Sequence, residues 1–433
     1  MQTTPINPQH PVKQVRSSAA ARHIAVICVF LFALGFPGKL ADMVGGARLS
    51  LLIQYGIFAL QILFMLITSG TDLMEMKLVD MKKEYTPMYL FLGVLFLTSM
   101  LVTHDHSAQF ISCLRFSVTG LFAIWIVQWY DVKHILLLTF RAQSIIVLLC
   151  LAFMLLPSQG WAIVNGARCF TGIFAGKNVC GAQLAFGLTL QVALLRVYWV
   201  ENKQPGVFFY AILLAQLVML VLSRAMGSLI SAGVPIAALL LLSHRRSIFN
   251  PLPLGWLYVL GSVGFLLFAL NLMPLAEPLL NALGKDATLT GRIPMWQQHV
   301  SNMLSSHTFT GYGFCMFWNN EAAVEAFHLA FEENSWASTM TTGAHNELIE
   351  MWLDNGLIGI AVYFFMLLTA FRRIKDMPQN VYAFCLAVML GVFIKGLTER
   401  THTPASYWTL YLFLTCALAF KHQAPEPASS IKS

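Results

Sequence analysis

Apolar residues occur along this chain in runs long enough to cross the hydrocarbon core of a bilayer, which takes about 20 helical residues, with short polar breaks between them. About twelve runs meet that criterion. In the first half they cover His23 to Phe36, Leu49 to Ile67, Met88 to Val102, Ala108 to Gln128, Ile135 to Leu156 and Val179 to Val197. In the second half they cover Val207 to Leu222, Met226 to Leu242, Leu254 to Leu272, Asn346 to Phe371, Val381 to Ile394 and Ser406 to Phe420. The pattern predicts an all-α polytopic membrane protein. One long interruption, residues 273–345, separates the ninth run from the tenth. Connections usually take about 4–6 residues, so a segment this long must fold or do work. The expected organisation is a tail (1–22), nine spans (23–272), a large external loop (273–345), three spans (346–420) and a second tail (421–433).

Composition supports the same class. Of 433 residues, 57% are hydrophobic and 11% charged, where soluble domains carry about 25% charged residues. Basic loops are retained on the cytoplasmic side, and the bases fall in a consistent order. Lys13, Arg16 and Arg22 precede the first run, Lys77, Lys82 and Lys83 follow the second, and Lys133 and Lys203 follow the fourth and sixth. Arg245 and Arg246 follow the eighth, Arg372, Arg373 and Lys375 the tenth, and Lys421 and Lys432 lie in the last tail. Both termini are therefore expected to be cytoplasmic, with the first run kept as an anchor. The net charge of +7 reads as orientation and attraction to anionic lipid, with no sign of nucleic acid. The 8 cysteines contain no Cys-x-x-Cys pair that would suggest zinc or redox chemistry. Cys169, Cys180 and Cys315 fall near the external side, where a disulfide is open.

Bases on the external side or inside the membrane need another explanation. Arg224 lies in Leu222-Ser-Arg224-Ala-Met-Gly-Ser228, a tight external turn between two runs. A guanidinium there is costly unless it meets an anion or water. Lys177 lies in Gly172-Ile-Phe-Ala-Gly-Lys177-Asn178-Val-Cys-Gly181, beside a predicted helix N-terminus, an arrangement suited to phosphate. Arg115 falls inside the fourth run, where an ionisable residue is a functional candidate by default. Plainer roles remain open: a headgroup anchor for Arg224, an interfacial turn for Lys177 and a packing contact for Arg115. Arg400, directly after Glu399, is expected to pair with that neighbour.

The large loop carries two compact motifs. In Thr288-Leu-Thr-Gly-Arg292-Ile-Pro-Met-Trp296 a glycine lets backbone approach a ligand, Arg292 offers a planar fork for two phosphate oxygens, and Pro294 suits the first turn of a short helix. In Gly343-Ala-His345-Asn346, His345 precedes the tenth run with Asn346 as a helix cap. His345 is the candidate general base. Glu350 and Asp354 share a helical face at i, i+4 and could order the site or neutralise arginines. Trp296 and Trp318, with Tyr312 and Phe317, suit sugar rings, an interfacial aromatic belt being the alternative.

These motifs resemble the O-antigen ligase and polymerase superfamily of bacterial envelope glycan assembly, including its exopolysaccharide-production branch. The match rests on the Gly172 to Gly181, Leu222 to Ser228 and Thr288 to Trp296 segments, and on His345-Asn-Glu-Leu-Ile-Glu350 running into Asn355-Gly-Leu-Ile-Gly359. The resemblance implies an inner-membrane enzyme that moves a glycan from an undecaprenyl diphosphate carrier to an acceptor hydroxyl at the periplasmic face, with inversion and without metal or cofactor. The acceptor would be lipid A core for a ligase or a growing polysaccharide for a polymerase. His345 would be the base and Arg224 and Arg292 the diphosphate-binding pair, with Lys177 and Arg115 as further carrier-binding candidates. Trp296, Trp318 and Glu350 are candidates for the acceptor or glycan. A transporter of lipid-linked glycans is the rival of another class, and it predicts an internal repeat that the two halves do not display.

Overall fold

The computed structural model describes residues 19–33, most of 49–65, nearly all of 83–241, 251–272, most of 288–331 and nearly all of 343–421, with isolated positions between. The basic segments 66–82 and 242–250, the stretch 279–287 and most of both tails lie outside the described residues. So does part of the second predicted run.

The described chain is built almost wholly of helices: α1 (Ala19–Ala33), α2 (Thr86–Val102), α3 (His106–Trp129), α4 (Val132–Met154), α5 (Lys177–Val200), α6 (Val207–Leu222), α7 (Met226–Leu241) and α8 (Pro251–Asn271). Two short helices follow in the large loop, α9 (Arg292–Asn302) and α10 (Glu321–His328), and then α11 (Glu347–Ile374), α12 (Gln379–Gly396) and α13 (Tyr407–Lys421). Among the described residues 7 helices are long and apolar enough to cross a membrane, and α6, α7 and α13 are shorter apolar helices. The chain is thus an all-α polytopic membrane protein. Among the described residues the departure is a two-stranded antiparallel hairpin between α4 and α5, β1 (Trp161–Val164) with β2 (Ala167–Phe170).

Local chemistry sets the helix starts. Asp105 caps α3 by accepting from the backbone N–H groups of Ser107 and Ala108, and Asp131 caps α4 through His134 N–H. Pro87 sits in the first turn of α2, where its missing N–H costs nothing. Helices in lipid gain little from the hydrophobic effect between them, so close packing of small groups holds them together. Gly181 of α5 shows this, since a Cβ there would press on Ala225, on Ser223 Oγ and on Ser228 Oγ of the α6–α7 turn. Aromatic contacts join α3 to α13, with Phe116 5.2 Å from Phe413 between ring centres.

Helix α11 is broken at Gly356, whose φ of 63° and ψ of −166° lie outside the helical region. A side chain at this position would collide with the backbone of Phe309 and Thr310. A break inside a membrane helix exposes backbone groups that must find partners. Residues 308–313 of the large loop supply them. Leu357 N–H donates to Thr308 C=O (2.9 Å) and Ile358 N–H to Phe309 C=O (3.2 Å), while Tyr312 and Gly313 N–H donate to the Leu353 and Asp354 carbonyls (2.7 and 3.0 Å). Asn355 completes the joint by donating to Leu95 C=O, Thr98 Oγ1 and Ser99 Oγ of α2. The large loop is therefore stitched into the bundle, and it holds the first two turns of α11.

Candidate active site

The start of α11 is fixed twice by Asn346. Its Oδ1 accepts from Ile349 N–H at 3.1 Å as a helix cap, and its Nδ2 donates to Leu397 C=O at 3.0 Å, beyond the end of α12. His345, immediately before the cap, has φ 53°. That left-handed conformation is uncommon for any residue with a Cβ and is found where surrounding contacts over-determine it.

Those contacts converge on Glu399, in the segment between α12 and α13. Its Oε2 lies 2.7 Å from His345 Nδ1, and its Oε1 lies 3.2 Å from Arg292 NH2 and 3.9 Å from Lys395 Nζ. Arg292, the first residue of α9, also donates through NH1 to Thr398 C=O at 2.5 Å. Burial on its own would raise the Glu399 pKa. The hydrogen bond with His345 and the charges of Lys395, His345 and Arg292 outweigh it and hold the carboxylate down at about 2. An ionised carboxylate only accepts. Beside an ionised Glu399, His345 Nδ1 is the nitrogen that donates.

A second ionic layer braces this one. Arg400 NH1 meets Glu350 Oε2 at 3.1 Å and NH2 meets Asp354 Oδ2 at 2.6 Å, both carboxylates being buried. Glu350 Oε1 also accepts from Ala344 N–H, just before His345, and Asp354 Oδ1 accepts from Cys315 N–H at 2.8 Å. The shared face of Glu350 and Asp354 thus neutralises an arginine. The expected Arg400–Glu399 pair is corrected: Arg400 turns to α11, while Glu399 serves His345 and Arg292. Glu347 adds a third tie by accepting from the hydroxyl of Thr401 at 2.7 Å and from the backbone N–H groups of Thr401 and His402. Burial pushes His402 down to about 3.

The other sequence candidates divide. Arg224 is exposed in the α6–α7 turn at φ 54°. Lys177 is the half-buried first residue of α5, behind Gly176 as its N-cap. The contact of Gly181 with Ala225 brings these two cations to one end of the bundle. Helix α12 packs against both α5 and α7 and carries Lys395 in its last turn. Arg115 stays within α3, its guanidinium 5.4 Å from the centre of the Tyr55 ring, and it is not among the partners of Glu399.

One aromatic expectation is corrected. Trp296 is fully buried, packs edge-on to Phe265 and donates its indole N–H to Ala344 C=O at 2.7 Å. It holds the His345 segment in place and has no face to offer a sugar. Trp318 is half-buried in a cluster with Phe317, Phe327 and His299, and the last of these stacks on Phe327 at 4.4 Å. Glu350, with 1% exposure, belongs to the Arg400 layer. Among the described residues Cys169, Cys180 and Cys315 are not joined in a disulfide.

Glu399 is a candidate site residue that the motifs did not single out. A signal was present: Lys395-Gly-Leu-Thr-Glu399-Arg400-Thr-His402 gathers four titratable side chains into one external turn between apolar spans, the criterion that picked out Arg224. Among the described residues no group of His, Cys, Asp and Glu has the arrangement of a metal site.

A model of the O-antigen ligase family matches residues 209–364, from α6 through the large loop and into α11. The chain is also 28% identical over 265 residues to the exopolysaccharide production protein ExoQ of Rhizobium meliloti (strain 1021). That match takes in 58% of this chain and spans 59% of the relative's length. No solved structure matches.

Proposed function

Because the chain belongs to the O-antigen ligase and polymerase superfamily, we propose that it transfers a glycan from an undecaprenyl diphosphate carrier to an acceptor hydroxyl at the periplasmic face of the inner membrane. The observation that carries this reading is the His345–Glu399 pair with Arg292 on the same carboxylate. Transfer of this kind needs a base beside a cation that can receive a diphosphate, and both lie in one cluster here.

In this reading His345 Nε2 takes the proton of the acceptor hydroxyl as that oxygen attacks the anomeric carbon. The bond from carbon to the diphosphate oxygen breaks, its electron pair leaves with the lipid diphosphate, and the sugar inverts in a single displacement. Glu399 holds the ring and stabilises the imidazolium as it forms, as a carboxylate behind a histidine does in hydrolases. The leaving group gains negative charge, so Arg292 and Arg224, with Lys177 at the helix N-terminus, favour the transition state over the ground state. Arg115 is a more distant carrier contact. The chain's own groups supply a base and an anion clamp, which suffices for this chemistry without a metal.

A ligase would hand the glycan to lipid A core, and a polymerase would hand it to a growing polysaccharide. The likeness to an exopolysaccharide production protein favours the polymer as acceptor, while the matched family model carries the ligase description. Purified protein in liposomes, given glycan-linked undecaprenyl diphosphate and each acceptor in turn, tests the reading by mass analysis of the products. Transfer with release of undecaprenyl diphosphate is expected. Movement of intact donor across the bilayer without consumption would establish a transporter instead.

A further inference from the structure

Among the groups around Glu399, Lys395 is the least satisfied. Its side chain is only 9% exposed, and its ion-pair partner is Glu399 Oε1 at 3.9 Å. An ammonium has three N–H donors, and 3.9 Å is too long for a hydrogen bond. Buried polar groups are as a rule hydrogen-bonded, and a buried charge is costly unless closely paired. Glu399 is already committed, because the same Oε1 is 3.2 Å from Arg292 NH2 and Oε2 is taken by His345. Two basic side chains therefore lean on one carboxylate oxygen. The position of Lys395 at the end of α12 suits the helix dipole, but that accounts for a lysine there and not for burying its ammonium so far from an anion.

We propose that Lys395 is a further diphosphate-binding residue, with its ammonium and the Arg292 guanidinium meeting the two phosphate groups of one lipid diphosphate. The assignment rests on the reading of the site as a lipid diphosphate site. The two cations on one carboxylate oxygen stand close enough for the adjacent phosphates of a diphosphate to meet one each, whereas a single phosphate is satisfied by the Arg292 fork. Lys395 thereby selects diphosphate over monophosphate and holds the leaving group next to the groups that orient His345. Arg292 grips by its fork and Lys395 as a point charge.

Equilibrium binding of undecaprenyl diphosphate and undecaprenyl monophosphate to the full-length protein in lipid nanodiscs tests this. Wild-type protein is expected to prefer the diphosphate. Lys395→Met and Lys395→Gln should weaken diphosphate binding roughly 10- to 100-fold, the usual consequence of losing a charge-assisted contact, and leave monophosphate binding nearly unchanged. Lys395→Arg should restore most of the preference, which a merely structural lysine would not do. Wild-type selectivity in both neutral variants, with Arg292→Lys still impaired, would overturn the lysine assignment alone. Equal, weak binding of both lipids by wild-type protein and every variant would overturn the lipid diphosphate site itself.

Discussion

His345 Nδ1 and Glu399 Oε2 meet at 2.7 Å although 54 residues separate them in the chain, an interval filled by α11 and α12. The two helices run out from one end of the bundle and return to it. Asn346 on Leu397, Glu347 on Thr401 and His402, and Glu350 on Arg400 then pin the outgoing end to the returning end. The histidine is thus oriented by a framework of several charge-assisted bonds, each of about 1.5–3 kcal/mol.

Glu399→Gln keeps the size of the side chain and removes its charge. The ring loses the partner that fixes its tautomer and stabilises its protonated form. Turnover should fall roughly 10²- to 10⁴-fold, with donor binding changed far less, as measured by single-turnover transfer beside equilibrium binding. Equal turnover in wild type and variant would remove Glu399 from the mechanism.

The charge on Glu399 also links stability to pH. Its pKa falls from 4.5 in the unfolded chain to about 2 in the folded protein, so the native state holds fewer protons on this group. The resulting stabilisation is complete above pH 4.5 and is lost as pH falls toward 2. The melting-temperature difference between wild type and Glu399→Gln should be constant at neutral pH and shrink steadily below 4.5. A difference that grows on acidification would contradict the pairing.

Arg400 faces two buried carboxylates, so its removal leaves Glu350 and Asp354 without a counter-charge. Arg400→Met should destabilise the fold by about 3–5 kcal/mol, seen as lower folded yield and earlier unfolding in detergent. Adding Glu350→Gln and Asp354→Asn to the same variant should recover part of the loss. No recovery would place the cost in packing and not in charge.

Much of this was legible in the sequence because hydropathy reports the solvent around a helix directly. The predicted run from Ala108 to Gln128 lies within α3, and the run from Asn346 to Phe371 within one residue of the start of α11. The hairpin was not predicted: Asn165-Gly166 between two apolar stretches is a turn signal, but the stretches are too short to stand out beside the membrane runs. Pairing was not legible either. Arg400 and Glu399 are neighbours in the chain, yet adjacent residues need not face each other, and the partners they take come from other helices. Trp296 was equally opaque. An aromatic ring suits a sugar, a membrane interface or a core, and only its burial against Phe265 and Ala344 decides among them.

The most direct measurement is single-turnover transfer from glycan-linked undecaprenyl diphosphate by His345→Ala beside wild type, at saturating donor and neutral pH. Binding of the donor should persist in the variant while the rate of glycosidic bond formation falls at least about 100-fold. Transfer at the wild-type rate by His345→Ala would contradict the assignment of His345 as the base and the catalytic account built on it.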